Sequence, residues 1–481
     1  MPENTDPTKK GLSHFEDNNP GKANQLLDKY AGDNNYRLKT LTISSPSGGE
    51  VDITTIFVGM SIYEDMFSNT MSCSVSFHDT NDICRHLPIV GQREKLKAVF
   101  SLPGDKDIKY TFDIYRISVK NISTVGKKQA ITLQGVSAEQ FKNIHTKVSR
   151  SFYDSIDNII ETIYNDYLKP DGSASQYKLS TILPTNKEKR KFIIPNWHPF
   201  DAINWLLTRA TPKDNDNASN YIFFQNRDGH HLTTIEDLFK IGSKPRMEYF
   251  YMPRRYREAP ANFRDPGYEM RNIQRLIFEE PGNRLDENVK GMYGSSILTH
   301  DIVRKKYKLK KFQLKSNFSK TKHIEQNYPI AQGIDKFSKE YNTSFNFCPI
   351  HKNLNQKNKL HGGDTIEQNE KYAEWLLNRK SLIRQIGANI ININVSGDSR
   401  RSPGDVVHLT HTPLQPAVGK DLKYNKYING KYLVTSVQHN LTPDGYWMNM
   451  ELSKDSMEEV YSSSSNFLEA MENINGPVVN Q

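Results

Sequence analysis

Three stretches decide how the chain is read. They are Ser402-Pro403-Gly404-Asp405-Val406-Val407-His408-Leu409-Thr410, Asn429-Gly430-Lys431-Tyr432-Leu433-Val434-Thr435-Ser436-Val437-Gln438-His439 and Tyr446-Trp447-Met448-Asn449-Met450-Glu451-Leu452. The first reads as a strand launched by Pro-Gly, and the other two as a hairpin joined through Thr442-Pro443-Asp444-Gly445, turn residues set between alternating apolar runs. A similar plan occurs earlier. Pro88-Ile89-Val90-Gly91 leads into a strand over 96–100, a long strand over 110–119, a turn at Ser123-Thr124-Val125-Gly126 and a return over 130–136. Residues 88–136 and 403–452 therefore share an order of elements with little identity, a repeat of pattern rather than of letters.

A chain of 481 residues is too long for one core and implies several domain-sized units. A hydrophobic fraction of 36% and a mean hydropathy of -0.70 are low, but 22 Phe, 24 Tyr and 4 Trp supply the apolar surface that folding needs. There is no apolar run of membrane-spanning length and no signal-peptide core near Met1, so a soluble chain made in the cytoplasm is expected. Cys73, Cys84 and Cys348 are odd in number and scattered, which argues for thiols rather than a disulfide framework. The net charge of +9 is modest, although nine Lys and Arg fall within 304–322 among Tyr307, Phe312 and Phe318. That run reads as a solvated basic loop, with a nucleic-acid surface as the alternative.

Working outward, residues 1–35 are polar and read as a mobile arm. Leu38, Leu41 and Ile43 precede the turn Ser45-Pro46-Ser47-Gly48-Gly49, and Val51 and Ile53 resume beyond it, a hairpin. Met71, Cys73, Val75 and Phe77 alternate with Ser72, Ser74 and Ser76, a strand with one buried and one wet face. Between the two copies the period changes. Tyr153, Ile156, Ile159, Ile160, Ile163, Tyr164 and Tyr167 predict an amphipathic helix, Pro199 opens a second one, and residues 221–232 read as a hairpin with its turn at Asp228-Gly229. Residues up to about 369 are rich in Asn and Lys and weakly patterned; a last helix over 372–386 then leads to the alternation Ile391-Asn392-Ile393-Asn394-Val395.

Catalytic and metal signatures are weak. His408 and His411 point to opposite faces of a strand, Cys348, His351 and His361 lack a Cys-x2-Cys partner, and His230-His231 beside Asp228 reads as a polar hairpin turn. There is no phosphate loop, dinucleotide fingerprint or nucleophile elbow. The expectation is no catalytic residue, no metal and no cofactor.

The succession of Ile194-Pro195-Asn196-Trp197-His198-Pro199-Phe200-Asp201-Ala202-Ile203, Tyr221-Ile222-Phe223-Phe224 with Asp228-Gly229, Gly291-Met292-Tyr293 leading to His300-Asp301, and residues 430–439 resembles the central baseplate hub proteins of contractile-tailed bacteriophages. That family is also related to the hub domains of type VI secretion spikes. The resemblance implies an α+β, mainly antiparallel β fold with two similar β-barrel-like tube domains and an α+β insertion. It divides the chain into an arm (1–35), a first tube-like domain (36–146), an outer α+β domain (147–245 with about 311–369), a second tube-like domain (246–310 with 370–458) and a tail (459–481). It implies a homotrimer in the virion tail baseplate, assembled in the host cytoplasm, that joins a three-fold central spike protein to a six-fold tail tube. Tube or tube-initiator proteins and surrounding baseplate proteins would be its other partners. DNA would meet it only in transit through a lumen, and no membrane insertion is implied. Subunit contacts are expected on the long hairpins, at Tyr110, Phe112, Ile114, Arg116, Tyr432, Val434 and Gln438. A tail-associated peptidoglycan hydrolase and a hub of a type VI secretion or contractile-bacteriocin spike are the competing readings.

Overall fold

The computed structural model describes residues 36–46, 48–79, 83, 89–91, 93–102, 106–122, 129–171, 176–185, 189–213, 220–242, 245–251, 270–279, 284–301, 305–329, 344–350, 366–411 and 428–459. The two expected terminal segments, Cys84, His351, His361 and the turn at 123–126 lie outside them.

The first unit is built from β1 (Arg37–Ser44), β2 (Glu50–Asp52), β3 (Phe57–Asp65), β4 (Ser72–Asp79), β5 (Glu94–Ser101), β6 (Ile108–Ile122) and β7 (Gln129–Val136). Its strands pair antiparallel in the order β3-β4-β7-β6-β5-β1-β2. The alternation at Cys73, Val75 and Phe77 buries these residues to 3% exposure or less, while the intervening serines face outward. β3 has the same alternation but was not anticipated from the sequence.

An α+β insertion follows. It holds α1 (Ala138–His145), β8 (Val148–Asp154), α2 (Ile156–Ile163) continuing as a π turn over Tyr164–Leu168, β9 (Leu179–Ile182), β10 (Arg190–Trp197), α3 (Pro199–Leu207), β11 (Tyr221–Asn226), β12 (Gly229–Thr234) and α4 (Ile235–Ile241). The helix expected from Tyr153 starts three residues later, because Tyr153 pairs with Lys191 in the β8·β10 ladder. Ile156, Ile159, Ile160 and Ile163 form the buried stripe of α2, packed against Phe200, Ile203 and Leu207 of α3.

The second unit contains β13 (Glu248–Tyr251) and β14 (Arg275–Phe278). After α5 (Arg284–Val289) come β15 (Gly294–Asp301), β16 (Lys306–Gln313), the short α6 (Leu314–Asn317), β17 (Ser344–Ile350) and the long α7 (Ile366–Gly387). β15, β16 and β17 make a separate three-stranded sheet whose inner face packs Ile297 and Phe312 on Leu377 of α7. Two expectations are corrected here. The basic run is regular structure rather than loop over strand β16 and the short α6, with Phe312 and Leu314 seated in a core while Tyr307 and Leu309 stay exposed, and the domain boundary expected at 310/311 falls inside β16. The chain returns to the main sheet as β18 (Ile390–Ser396), β19 (Val406–His411), β20 (Gly430–Thr442) and β21 (Gly445–Ser453).

The second unit pairs in the order β14-β18-β21-β20-β19, matching β3-β4-β7-β6-β5 of the first. Registers match as well: Cys73 faces Gly135 as Ile391 faces Leu452, Val75 faces Leu133 as Ile393 faces Met450, and Phe77 faces Ile131 as Val395 faces Met448. The long strands bulge at corresponding places, between Ile114 and Arg116 in β6 and between Val434 and Ser436 in β20. Each copy opens on a positive-φ glycine, Gly91 (φ 78°) and Gly404 (φ 92°), a conformation that L side chains rarely adopt. The copies differ at the flank, where β1 runs antiparallel to β5 and β13 runs parallel to β19. Among the described residues the ladder is one open 13-stranded sheet with no closed barrel, because its end strands β14 and β2 do not pair.

Candidate assembly site

The two units meet where β3 pairs antiparallel with the distal half of β20, from Ser436 opposite Asp65 to Leu441 opposite Met60. β20 serves two partners on one edge: β19 takes Gly430–Leu433, and beyond the bulge β3 takes the rest. The bulge turns the strand away from β19 and leaves its backbone groups to be satisfied by another strand. Core side chains from both units, among them Ile62, Val75, Val437 and Met450, form one cluster beneath this junction.

The opposite face of the sheet is a band of hydroxyls and amides. Tyr115 OH donates to Gln134 Oε1 (3.1 Å), Ser76 Oγ lies 2.8 Å from Thr132 Oγ1, and Ser61 Oγ donates to Asn440 Oδ1 (2.8 Å). The chain of contacts continues from Asn449 Nδ2 to Gln438 Oε1 (3.2 Å) and from Asn394 Nδ2 to Asn449 Oδ1 (2.6 Å). These bonds link neighbouring strands across both units and fix rotamers, and the same face also carries charge, with Arg116 opposite Gln134, Arg275 opposite Asn394 and Glu451 opposite Asn392.

Beneath the junction lies a buried charged seam where both units meet the insertion. Glu64 of β3 accepts from Tyr110 OH (3.2 Å) and from Ser402 Oγ (3.1 Å), tying the units together. Burial raises its carboxyl to about 7 against the opposing pull of the Arg227 charge. Arg227, from the β11–β12 turn, donates to the Ser399 carbonyl (2.6 Å). Asp398 accepts from Arg400 Nε (2.8 Å) and Arg401 Nε (3.3 Å), while Asp405 pairs with Arg246 (2.8 Å) and Arg401 (3.6 Å). Burial opposes ionisation of Asp398, but the two guanidiniums win and hold it well below the usual carboxylate range. The sequence reading missed this seam; its signal was Asp398-Ser399-Arg400-Arg401-Ser402-Pro403-Gly404-Asp405, four charged side chains packed ahead of a strand.

The expected subunit-contact residues divide into two groups. Tyr110, Phe112, Ile114, Tyr432 and Val434 are core residues at 3% exposure or less, so they pack within the chain and are no contact surface. Their side chains point into the core, although Tyr110 and Phe112 pair with β5 alone and Tyr432 with β19 alone, and of the five only Ile114 lies between two paired strands. Arg116 is exposed and Gln438 half-buried, both beyond the bulges. His230 and His231 are also relocated: they lie buried in β12, not in a polar turn. His230 stacks on Phe223 with ring centroids 5.0 Å apart, and burial lowers it to about 3, so it is neutral. Burial likewise raises the nearby Glu139 to about 8. His408 lies 3.7 Å from Glu248 while His411 stacks on Tyr251, and Cys348 packs beside the Leu377 cluster. Among the described residues no group of three or more His, Cys, Asp or Glu side chains is placed to hold a metal, and no helix is long and apolar enough to cross a membrane.

No protein-family model matches the chain. It is 23% identical over 320 residues to a probable baseplate hub protein, gp334, of Vibrio phage KVP40, covering 65% of this chain and 68% of the relative. Among solved structures, a tail protein from Neisseria meningitidis MC58 aligns over 89% of this chain and 99% of its own at 11% identity and a TM-score of 0.49. The 43 kDa tail protein of prophage MuSo2 from Shewanella oneidensis aligns over 88% and 99% at 10% identity and a TM-score of 0.46. Both scores fall below 0.5. By its sequence, the chain is similar to the baseplate hub proteins of tailed bacteriophages.

Proposed function

We propose that this chain is the structural hub of a phage tail baseplate, a virion protein and not an enzyme, acting as a trimeric adaptor between a three-fold central spike and the six-fold tail tube. The observation that carries the reading is the internal repeat: two units with one strand order and matched registers, fused edge to edge through β3 and β20. Three such chains offer six near-equivalent units around one axis, which resolves the mismatch between three-fold and six-fold partners. The two units are the tube-like domains of the hub, and the insertion and the β15–β17 sheet lie outside them. The hydroxyl and amide face lines the lumen for DNA.

Light scattering should give three chains per particle, and negative-stain images down the axis should show a ring of six similar lobes. A monodisperse monomer at micromolar concentration would overturn the adaptor.

A further inference from the structure

The β3·β20 junction has two unfilled counterparts in the same chain. In the second unit the strand corresponding to β3 is β14: Phe278 faces Ile391 as Ile62 faces Cys73, and Leu276 faces Ile393 as Met60 faces Val75. In the first unit the strand corresponding to β20 is β6, which pairs with β5 only as far as Ile114 and beyond its bulge pairs with β7 alone. Among the described residues, no strand occupies the outer edge of β14 or the edge of β6 past the bulge.

Burial tells the same story at corresponding positions. Ile62 is 0% exposed and Phe278 is 47% exposed, although both sit on the core face opposite a core residue. Val437 is buried and its counterpart Ile117, opposite core residue Leu133, only half-buried. The core is sealed where β3 meets β20 and stops short at both outer ends. An aromatic ring left half open on the core face of an edge strand marks a surface that another strand completes.

We propose that β14 of one copy pairs antiparallel with the distal half of β6, from Arg116 onward, of a second copy, repeating between chains the junction that β3 and β20 make within one. Leu276, Ile277 and Phe278 take the places of Met60, Ser61 and Ile62. The occupant is a second copy because this chain carries both edges and displays their fit internally. The contact is head to tail, so each copy uses one edge of each kind and a closed ring leaves neither exposed. This pairing rests on the ring reading given above and is narrower than it.

The test uses Phe278→Lys and Ile117→Lys, each at a side chain already open to water, with thermal melting to verify that each variant folds. Where either fails to melt cooperatively, Ile277→Lys or Tyr115→Lys on the same edge replaces it. Wild-type protein should sediment as three chains and each variant as one, a threefold loss of mass. An equimolar mixture of the two variants should form a two-chain complex, because each retains the edge the other lacks. A monomeric wild type would overturn the ring reading and this pairing with it. An oligomer that survives both substitutions, or two monomeric variants that do not combine, would leave the ring standing and overturn the pairing alone.

Discussion

The two halves of the sheet share a strand order and differ in what covers their edges. Ile62 and Phe278 hold corresponding places on β3 and β14, yet one is sealed at 0% exposure and the other lies 47% open. The difference is not in the strands, since both present an apolar residue to the core. It lies in the neighbour: β3 has β20, and β14 has no second strand among the described residues. A repeat inside one chain thus shows what a finished junction looks like and where two unfinished ones are.

The comparison breaks first at the shared core. Val75→Asp in the first unit and Ile393→Asp at the corresponding place in the second should each cost more than about 5 kcal/mol, combining lost apolar burial with an unpaired buried carboxyl. Both residues are within 2% of complete burial, so equal loss of cooperative melting, followed by circular dichroism, is the expected result. A soluble Val75→Asp variant that melts normally would count against the strand assignment, and a large inequality between the two would count against equivalence of the units.

The edges should separate more gently. Ile62→Ala is expected to destabilise the chain by about 2–5 kcal/mol, as buried aliphatic truncations do. Phe278→Ala should cost the isolated chain about 1 kcal/mol, because half of the ring is already in water. Chemical denaturation under conditions where the protein is monomeric measures both, and comparable losses would mean that the β14 edge is covered.

The seam beneath the junction should respond to pH. Glu64 is raised to about 7 by burial, so the folded chain holds its proton at pH values where the unfolded chain has released it. Stability from this group is therefore complete below about pH 4.5 and falls as pH rises towards 7, by at most about 3 kcal/mol. Glu64→Gln should flatten that part of the pH–stability curve. The difference between variant and wild type isolates Glu64 from Glu139, whose carboxyl is raised to about 8 by burial. An unchanged slope between pH 5 and 8 would mean that Glu64 is ionised throughout.

Much of the local structure was legible in the sequence. The alternation from Met71 to Phe77, the isoleucine stripe of α2, Pro199 opening α3 and the hairpin of β20 and β21 each follow from a period or a turn residue acting over a few positions. The repeat was legible for the same reason, since Pro, Gly and strand lengths are local signals. The hydroxyl and amide face was half visible in Ser72, Ser74 and Ser76 and in Asn392 and Asn394, which alternate with apolar residues.

What the tertiary structure alone decided is which strands have two neighbours. β3 passed unread, and with it the junction between the units; the long hairpins were expected to make subunit contacts and turn Tyr110, Phe112, Ile114, Tyr432 and Val434 into the core instead. His230 and His231 looked like turn residues and are core. A strand's own residues set which face is apolar, because side chains alternate with a period of two. Whether its edge is satisfied depends on a partner that can lie hundreds of residues away, as β20 does from β3, and no local pattern encodes that pairing. The sequence by itself determined two similar sheets; the fold decided that they share one edge and leave two open.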